Sequence, residues 1–123
     1  MSEEKINFET AKLAREKGFN WSSDFYYNEK KEIYGTKMGM HGNPNAYGFY
    51  SAPSQSVLQK WIREKHGLYI WLKPSNDVLD RWSVYIDDGL GHHYLTDYLY
   101  VDGYEAALED GLQESLKLIK TNN

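Results

Sequence analysis

The chain has 123 residues, a length typical of one domain that buries its own core without metals or disulfides. It contains no cysteine, which excludes disulfides, thiol nucleophiles and thiolate zinc sites. Fourteen basic and eighteen acidic residues give a formal charge of -4, which argues against non-specific binding to nucleic acid. We therefore predict a single domain over residues 1–123, with frayed tails at residues 1–5 and 121–123.

The start of the chain and its hydropathy bear on where the protein acts. No apolar run approaches the ~18 residues that a membrane-spanning helix needs. The acidic N-terminus is not followed by the apolar segment of a secretory signal. We expect a cytoplasmic protein with no membrane association.

A helix and a hairpin are the first elements predicted along the chain. Asn7 is suited to cap a helix over residues 8–17. Residues 24–27 and 32–37 then have the composition of two strands joined by a turn. Glycine, proline and asparagine follow without a sustained period, which predicts a long loop over residues 38–50.

The clearest pattern in the sequence is a helix that passes directly into a strand. Apolar residues between positions 54 and 67 form one stripe at helical spacing, and Gly67 is placed to end the helix. In the next six residues the period becomes two, and apolar residues alternate with Tyr69, Trp71 and Lys73. Residues 81–87 share this period and are predicted to pair antiparallel with that strand. We interpret the whole unit as scaffold.

The remainder of the chain predicts one more helix. Residues 90–101 are aromatic and ambiguous, with a strand at residues 94–98 as one interpretation. Asp102 and Glu105 form a variant capping box before the helix, and Gly111 inside it would permit a close approach to another element.

The order of these elements, α-ββ-α-ββ-(β)-α, indicates the fold class. It predicts an α+β fold in which helices pack on one face of an antiparallel sheet of four to five strands. Residues 12–19 resemble residues 60–68, and each stretch precedes a hairpin. This similarity leaves open whether the two helix-hairpin halves are a repeat.

No group of residues has the spacing of a known catalytic site, and we predict no catalytic residue and no cofactor. His92 and His93 are the candidate metal ligands. Neighbouring residues of a strand point to opposite faces, so these two side chains would not converge on one ion. We therefore predict no metal site.

Tyrosine is frequent outside the predicted helices and suggests a binding surface. Tyrosine offers a stacking surface and a hydroxyl group at low entropic cost. The residues that we assign to ligand or partner binding are Tyr47, Tyr50, Tyr94, Tyr98, Lys37 and His41. The alternative explanation is structural, because a half-exposed sheet favours aromatic residues for its own packing.

Residues 53–67 and 103–119, together with the opening segment from Phe8 to Phe19, resemble a family of small uncharacterised proteins encoded by bacteriophages and prophages. The resemblance does not extend to the glycine-rich loop or to residues 90–101. It implies a common fold. Because the family has no assigned activity, the resemblance implies no cofactor and no site residue.

Three functions remain open from the sequence. The first is a non-enzymatic phage-type accessory protein that binds a host or viral partner in the host cytoplasm through an aromatic-rich surface. The second is a protein that binds or sequesters a small nucleotide-like ligand, with residues 35–50 as a lid. The third is a metal-dependent hydrolase. A pocket lined by Tyr47 and Tyr50 would favour the second function, and a flat aromatic surface would favour the first.

Overall fold

Three α-helices and seven short strands make up the part of the chain that the structure describes. The structure is a computed structural model, and it describes residues 4–35, 44–76, 78–91, 93–95 and 101–120. The helices are α1 (Phe8–Glu16), α2 (Gln55–His66) and α3 (Tyr104–Leu118). The strands are β1 (Phe25–Tyr27), β2 (Ile33–Gly35), β3 (Tyr50–Ser51), β4 (Tyr69–Pro74), β5 (Arg81–Asp87), β6 (His93–Leu95) and β7 (Val101–Asp102). A 3₁₀ turn, Pro44–Tyr47, precedes β3.

The strands form two antiparallel sheets. The first has the order β2-β1-β3, and the second is the β4-β5 hairpin with β6 and β7 paired along β5. The predicted α+β class and both predicted hairpins are confirmed. The prediction of a single sheet is wrong. β3 has only two residues and pairs with β1, whereas β4 pairs with β5, so the strands before and after α2 belong to different sheets.

Local capping sets the helix boundaries. The Asn7 side chain accepts a hydrogen bond from the Thr10 N–H and caps α1, as predicted. Ser54 caps α2, and Gly67 ends it in the left-handed conformation with φ 66°. The predicted capping box at Asp102 is wrong, because Asp102 belongs to β7 and α3 begins after Gly103 without a side-chain cap.

The second sheet packs on α3 at Gly111. A Cβ atom added to Gly111 would lie 2.8 Å from Ile70 Cγ2 and 2.9 Å from Val84 Cγ1. Ile70 and Val84 are buried core residues on β4 and β5. The close approach predicted at Gly111 is therefore confirmed, and it fixes the distance between helix and sheet.

The N-terminal residues of the described chain are held along the start of α2. Lys5 forms an isolated β-bridge with Ser54, and the Gln55 N–H donates to the Glu4 carbonyl at 2.8 Å. Ile6 is fully buried. Glu4 and Lys5 thus differ from the frayed tail predicted at residues 1–5.

The two helix-hairpin halves do not share a strand order. In the first sheet the strand after the helix, β1, is central, whereas in the second sheet the central strand is β5, the second strand of its hairpin. A duplicated unit would keep the same central strand, so the topology argues against a repeat.

Candidate functional site

Strand β4 has one face in the core and one face in water. Ile70 packs toward α3 and is 7% exposed. Its neighbours Tyr69 and Trp71, on the opposite face, are 46% and 54% exposed. Successive side chains of a strand alternate, so Lys73 shares the outer face with them. We call the surface formed by Tyr69, Trp71, Lys73 and Tyr85 the aromatic face.

Trp71 and Tyr85 form a cross-strand pair at the centre of the aromatic face. The two residues lie directly opposite each other in the β4-β5 ladder. Their ring centroids are 6.0 Å apart and their planes are inclined by 43°. Beside them lies an open groove of about 510 Å³, lined by Trp71, Leu72, Lys73, Pro74 and Tyr85. An exposed, mainly apolar groove of this kind is typical of an interaction site.

The free edge of β4 offers few hydrogen-bonding groups. Within the described ranges, β4 pairs with β5 alone. The Ser75 N–H donates to the Arg81 carbonyl across the hairpin at 2.7 Å, so the alternate residues Ile70, Leu72 and Pro74 direct their backbone groups away from β5.

Two of these three positions each lack one of their two backbone hydrogen-bonding groups. The Ile70 carbonyl accepts from Gln59 Nε2 at 3.0 Å, and Pro74 has no N–H to donate. Among the described edge residues, Leu72 is therefore the one whose N–H and C=O both point outward and are both available to a partner. Such blunting protects an edge strand from adding a further strand.

Charge differs between the two ends of the aromatic face. Lys73 lies at the end near the β4-β5 turn, exposed, and it forms no ion pair with any residue that the structure describes. At the other end Asp87 lies opposite Tyr69, and its carboxylate accepts from the Gly89 N–H at 2.8 Å. The face is therefore positive at one end and negative at the other.

A second polar cluster joins the three helices around Glu109. The Glu109 carboxylate accepts from the Asn7 N–H at 3.0 Å, from the Thr10 hydroxyl group, and from Gln55 Nε2 at 2.9 Å. Gln55 also donates to the Glu105 carbonyl at 2.8 Å. Because the polar groups of this cluster hydrogen-bond to one another, we interpret the cluster as a structural link between the three helices.

Tyr27 lies close to this cluster. Its hydroxyl donates to the Ile6 carbonyl at 2.8 Å. Burial raises the pKa of Tyr27, and the charges of Glu109 and Glu4 raise it further. The Tyr27 hydroxyl thus ties the first sheet to the N-terminal segment as a hydrogen-bond donor.

Tyr50, one of the binding residues assigned from sequence, lies in the first sheet, away from the aromatic face. Tyr50 is half-buried, its ring centroid is 5.2 Å from that of Phe8, and the Arg15 guanidinium lies 4.8 Å above it. Tyr47 ends the 3₁₀ turn, and Tyr94 lies in β6 opposite Ile86. The remaining assigned residues, Lys37, His41 and Tyr98, lie outside the described residues.

The candidate metal ligands are only partly covered by the structure. His93 pairs with Asp87 in the ladder, and His92 is outside the described residues. Among the residues described, no group of three or more histidine, aspartate or glutamate side chains is placed to hold a metal ion.

The sequence contained a signal for the aromatic face. Tyr69, Trp71 and Lys73 alternate with apolar residues, and a strand that buries one face leaves these three on the other. The sequence did not show whether another layer of the fold covers that second face.

Comparison of the chain with protein-family models, with curated proteins and with solved structures gives no match. The described part of the chain has no helix that is both long and apolar enough to cross a membrane.

Proposed function

We propose that this protein is a non-enzymatic binding protein that holds a protein partner on the aromatic face. The observation that carries the proposal is Trp71, whose side chain is 54% exposed on a strand with a tightly packed opposite face. Tryptophan and tyrosine are the residues that most often dominate binding energy at interfaces. A rigid sheet presents them without the entropic cost of ordering a loop.

The nucleotide-like ligand remains a second proposal with less support. It depends on a pocket formed by Tyr47, Tyr50 and the 35–50 lid. The Tyr50 ring is already in contact with Phe8 and Arg15, which reduces the surface it offers for stacking. The metal-dependent hydrolase depends on His92 and His93 and gains no support from the described residues.

The biological setting of the proposal rests on the resemblance to phage and prophage proteins. A host or viral partner in the host cytoplasm would fit that setting. A bacterial lysate is therefore the appropriate source of partners for a first test.

The test compares proteins retained from this lysate by three immobilised chains. They are the wild type, Trp71→Ala and the control Leu79→Ser, which changes an apolar side chain that is 97% exposed in the β4-β5 turn. We expect at least one protein to be retained by the wild type and the control and to be depleted by about tenfold on Trp71→Ala. Retention of the same proteins by all three chains would refute the proposal. Circular dichroism confirms that each variant is folded.

A further inference from the structure

We propose that the aromatic face binds an extended, proline-containing peptide segment, with an acidic residue of that segment at Lys73. This inference rests on the proposed function and names the kind of partner segment that the face fits. Four features support it: the size of the face, the blocked edge of β4, the inclined Trp71-Tyr85 pair and the position of the charges.

The size of the aromatic face fits a short segment better than a second folded domain. A tyrosine or tryptophan side chain offers roughly 150–250 Å². With about half of each exposed, Tyr69 and Trp71 together present on the order of 200 Å², and Lys73, Pro74 and Tyr85 bring the face to roughly 300–400 Å². A stable interface between folded partners buries about 800 Å² on each side. A second copy of this chain would therefore be held poorly by this face alone.

The blocked edge of β4 argues against a partner that adds a strand. Strand addition depends on a row of free backbone N–H and C=O groups. Gln59 occupies the Ile70 carbonyl and Pro74 lacks an N–H, so Leu72 is left as the one fully available position among the described edge residues. The aromatic face must therefore recognise a ligand through the side chains of that ligand.

A polyproline II segment meets this requirement. Its backbone makes no internal hydrogen bonds and needs none from a ladder, and its conformation is already formed before binding. Aromatic-lined grooves bind such segments by packing proline rings against tryptophan and tyrosine. The inclined rings of Trp71 and Tyr85 line the groove together with Pro74.

The positions of the charges predict where an acidic residue of the segment lies relative to its proline. An acidic residue is favoured near Lys73 and disfavoured near Asp87 at the opposite end. The backbones of Trp71 and Lys73 are about 7 Å apart, because two residues of a strand span this distance. A polyproline II segment rises about 3.1 Å per residue. The acidic residue should therefore lie two or three positions from the proline that packs on Trp71.

A random peptide library tests the inference directly. Peptides of about twelve residues, displayed on phage, are selected on the full wild-type chain after removal of those that bind Trp71→Ala. We expect the selected peptides to share at least one proline and an acidic residue two or three positions away. A selected peptide should bind Trp71→Ala at least about tenfold more weakly than the wild type, and Leu79→Ser with unchanged affinity.

The role of Lys73 is measured with two versions of a selected peptide, one with glutamate and one with glutamine at the acidic position. Lys73→Ala should weaken binding of the glutamate version by about threefold, which is typical of an exposed ion pair. Binding of the glutamine version should not change. Equal effects on both versions would overturn the assignment of the acidic residue to Lys73.

Other outcomes overturn the inference in ways that separate it from the proposed function. Selected peptides with alternating β-branched residues and no proline would indicate strand addition. A wild-type dimer that Trp71→Ala abolishes would make a second copy the occupant. If no peptide is enriched but Trp71→Ala still loses a lysate protein, the inference fails and the proposed function stands. Tight, Trp71-dependent binding of oligodeoxythymidylate without any peptide binding would overturn both.

Discussion

The contact between α3 and the second sheet predicts that Gly111→Ala destabilises the protein, although alanine is the better helix former. In an open helix the change would raise stability by up to about 1 kcal/mol. Here the new methyl group would lie 2.8 Å from Ile70 Cγ2 and 2.9 Å from Val84 Cγ1, both below the distance that carbon atoms tolerate. Both neighbours are buried and β-branched, so neither side chain can rotate away easily.

The magnitude follows from these opposing contributions. Inserting a methyl group into a packed core costs about 1–3 kcal/mol. Two close contacts on stiff side chains place the cost in the upper part of this range. After the gain in helix propensity is subtracted, we expect Gly111→Ala to lower the free energy of unfolding by about 1–2 kcal/mol.

Urea denaturation of four chains measures this prediction. They are the wild type, Gly111→Ala, Val84→Ala and the double variant. Removing the Val84 methyl groups makes room for the new Cβ atom, so Gly111→Ala should cost less, or stabilise, in the Val84→Ala background. Ala106→Gly, at an exposed position of α3, measures the propensity contribution in the same helix. A Gly111→Ala variant as stable as the wild type, or an equal cost in both backgrounds, would show that the sheet shifts to accommodate the methyl group. Either result would contradict the prediction.

Three side chains on the helices carry the remaining predictions, all measured by urea or thermal denaturation. Glu109→Ala should lower the free energy of unfolding by about 2–3 kcal/mol, because it removes the charged acceptor of three hydrogen bonds. The exposed Glu105→Ala should change the free energy of unfolding by less than about 0.5 kcal/mol, and equal effects of the two substitutions would contradict the structural role of the cluster. Asp110→Asn should raise stability by roughly 0.2–0.5 kcal/mol. Burial and the nearby Glu114 raise the pKa of Asp110 and so disfavour its charged form in the folded state. A loss of stability in this variant would contradict this reasoning. Burial lowers the pKa of His66, so the unfolded chain takes up the proton at higher pH than the folded chain, and stability should fall as the pH drops below about 6.5; a His66→Gln variant should lack this part of the pH dependence.

Helix boundaries were predictable because the signals that set them are local. Asn7 and Ser54 act on N–H groups three residues ahead, and Gly67 supplies the left-handed residue that ends α2. The exception is informative. Asp102 has the right chemistry for a cap, but its backbone is committed to pairing with Arg81, and this pairing lies outside the range of any local pattern.

The partition into two sheets was not predictable from these patterns. β3 has only two residues and lies at the end of a segment with the composition of a loop. Its pairing with β1 joins residues far apart in sequence, and such pairing depends on how the helices pack. Strands of two or three residues carry too little periodicity to show which neighbours they choose.

The aromatic face shows a different limit of sequence reasoning. Counting tyrosines directed attention to Tyr50, which the structure places against Phe8 and Arg15. The most exposed tryptophan among the described residues lies instead on β4, in the unit interpreted as scaffold. Alternation showed that Trp71 points away from Ile70, but only the arrangement of layers determines whether that side meets water or another element.

The two faces of β4 explain how one strand can serve both stability and binding. Ile70 packs against α3 at Gly111 in the core, and its truncation to alanine would cost about 2–5 kcal/mol. Trp71 is already half in water in the folded state, so its truncation removes mainly the cross-strand contact with Tyr85, worth about 0.2–1 kcal/mol. A ligand on the aromatic face would therefore meet side chains held in place by the core behind them, and binding would require little further ordering. The packing at Gly111 that makes β4 a scaffold is thus also what makes its outer face suitable as a binding surface.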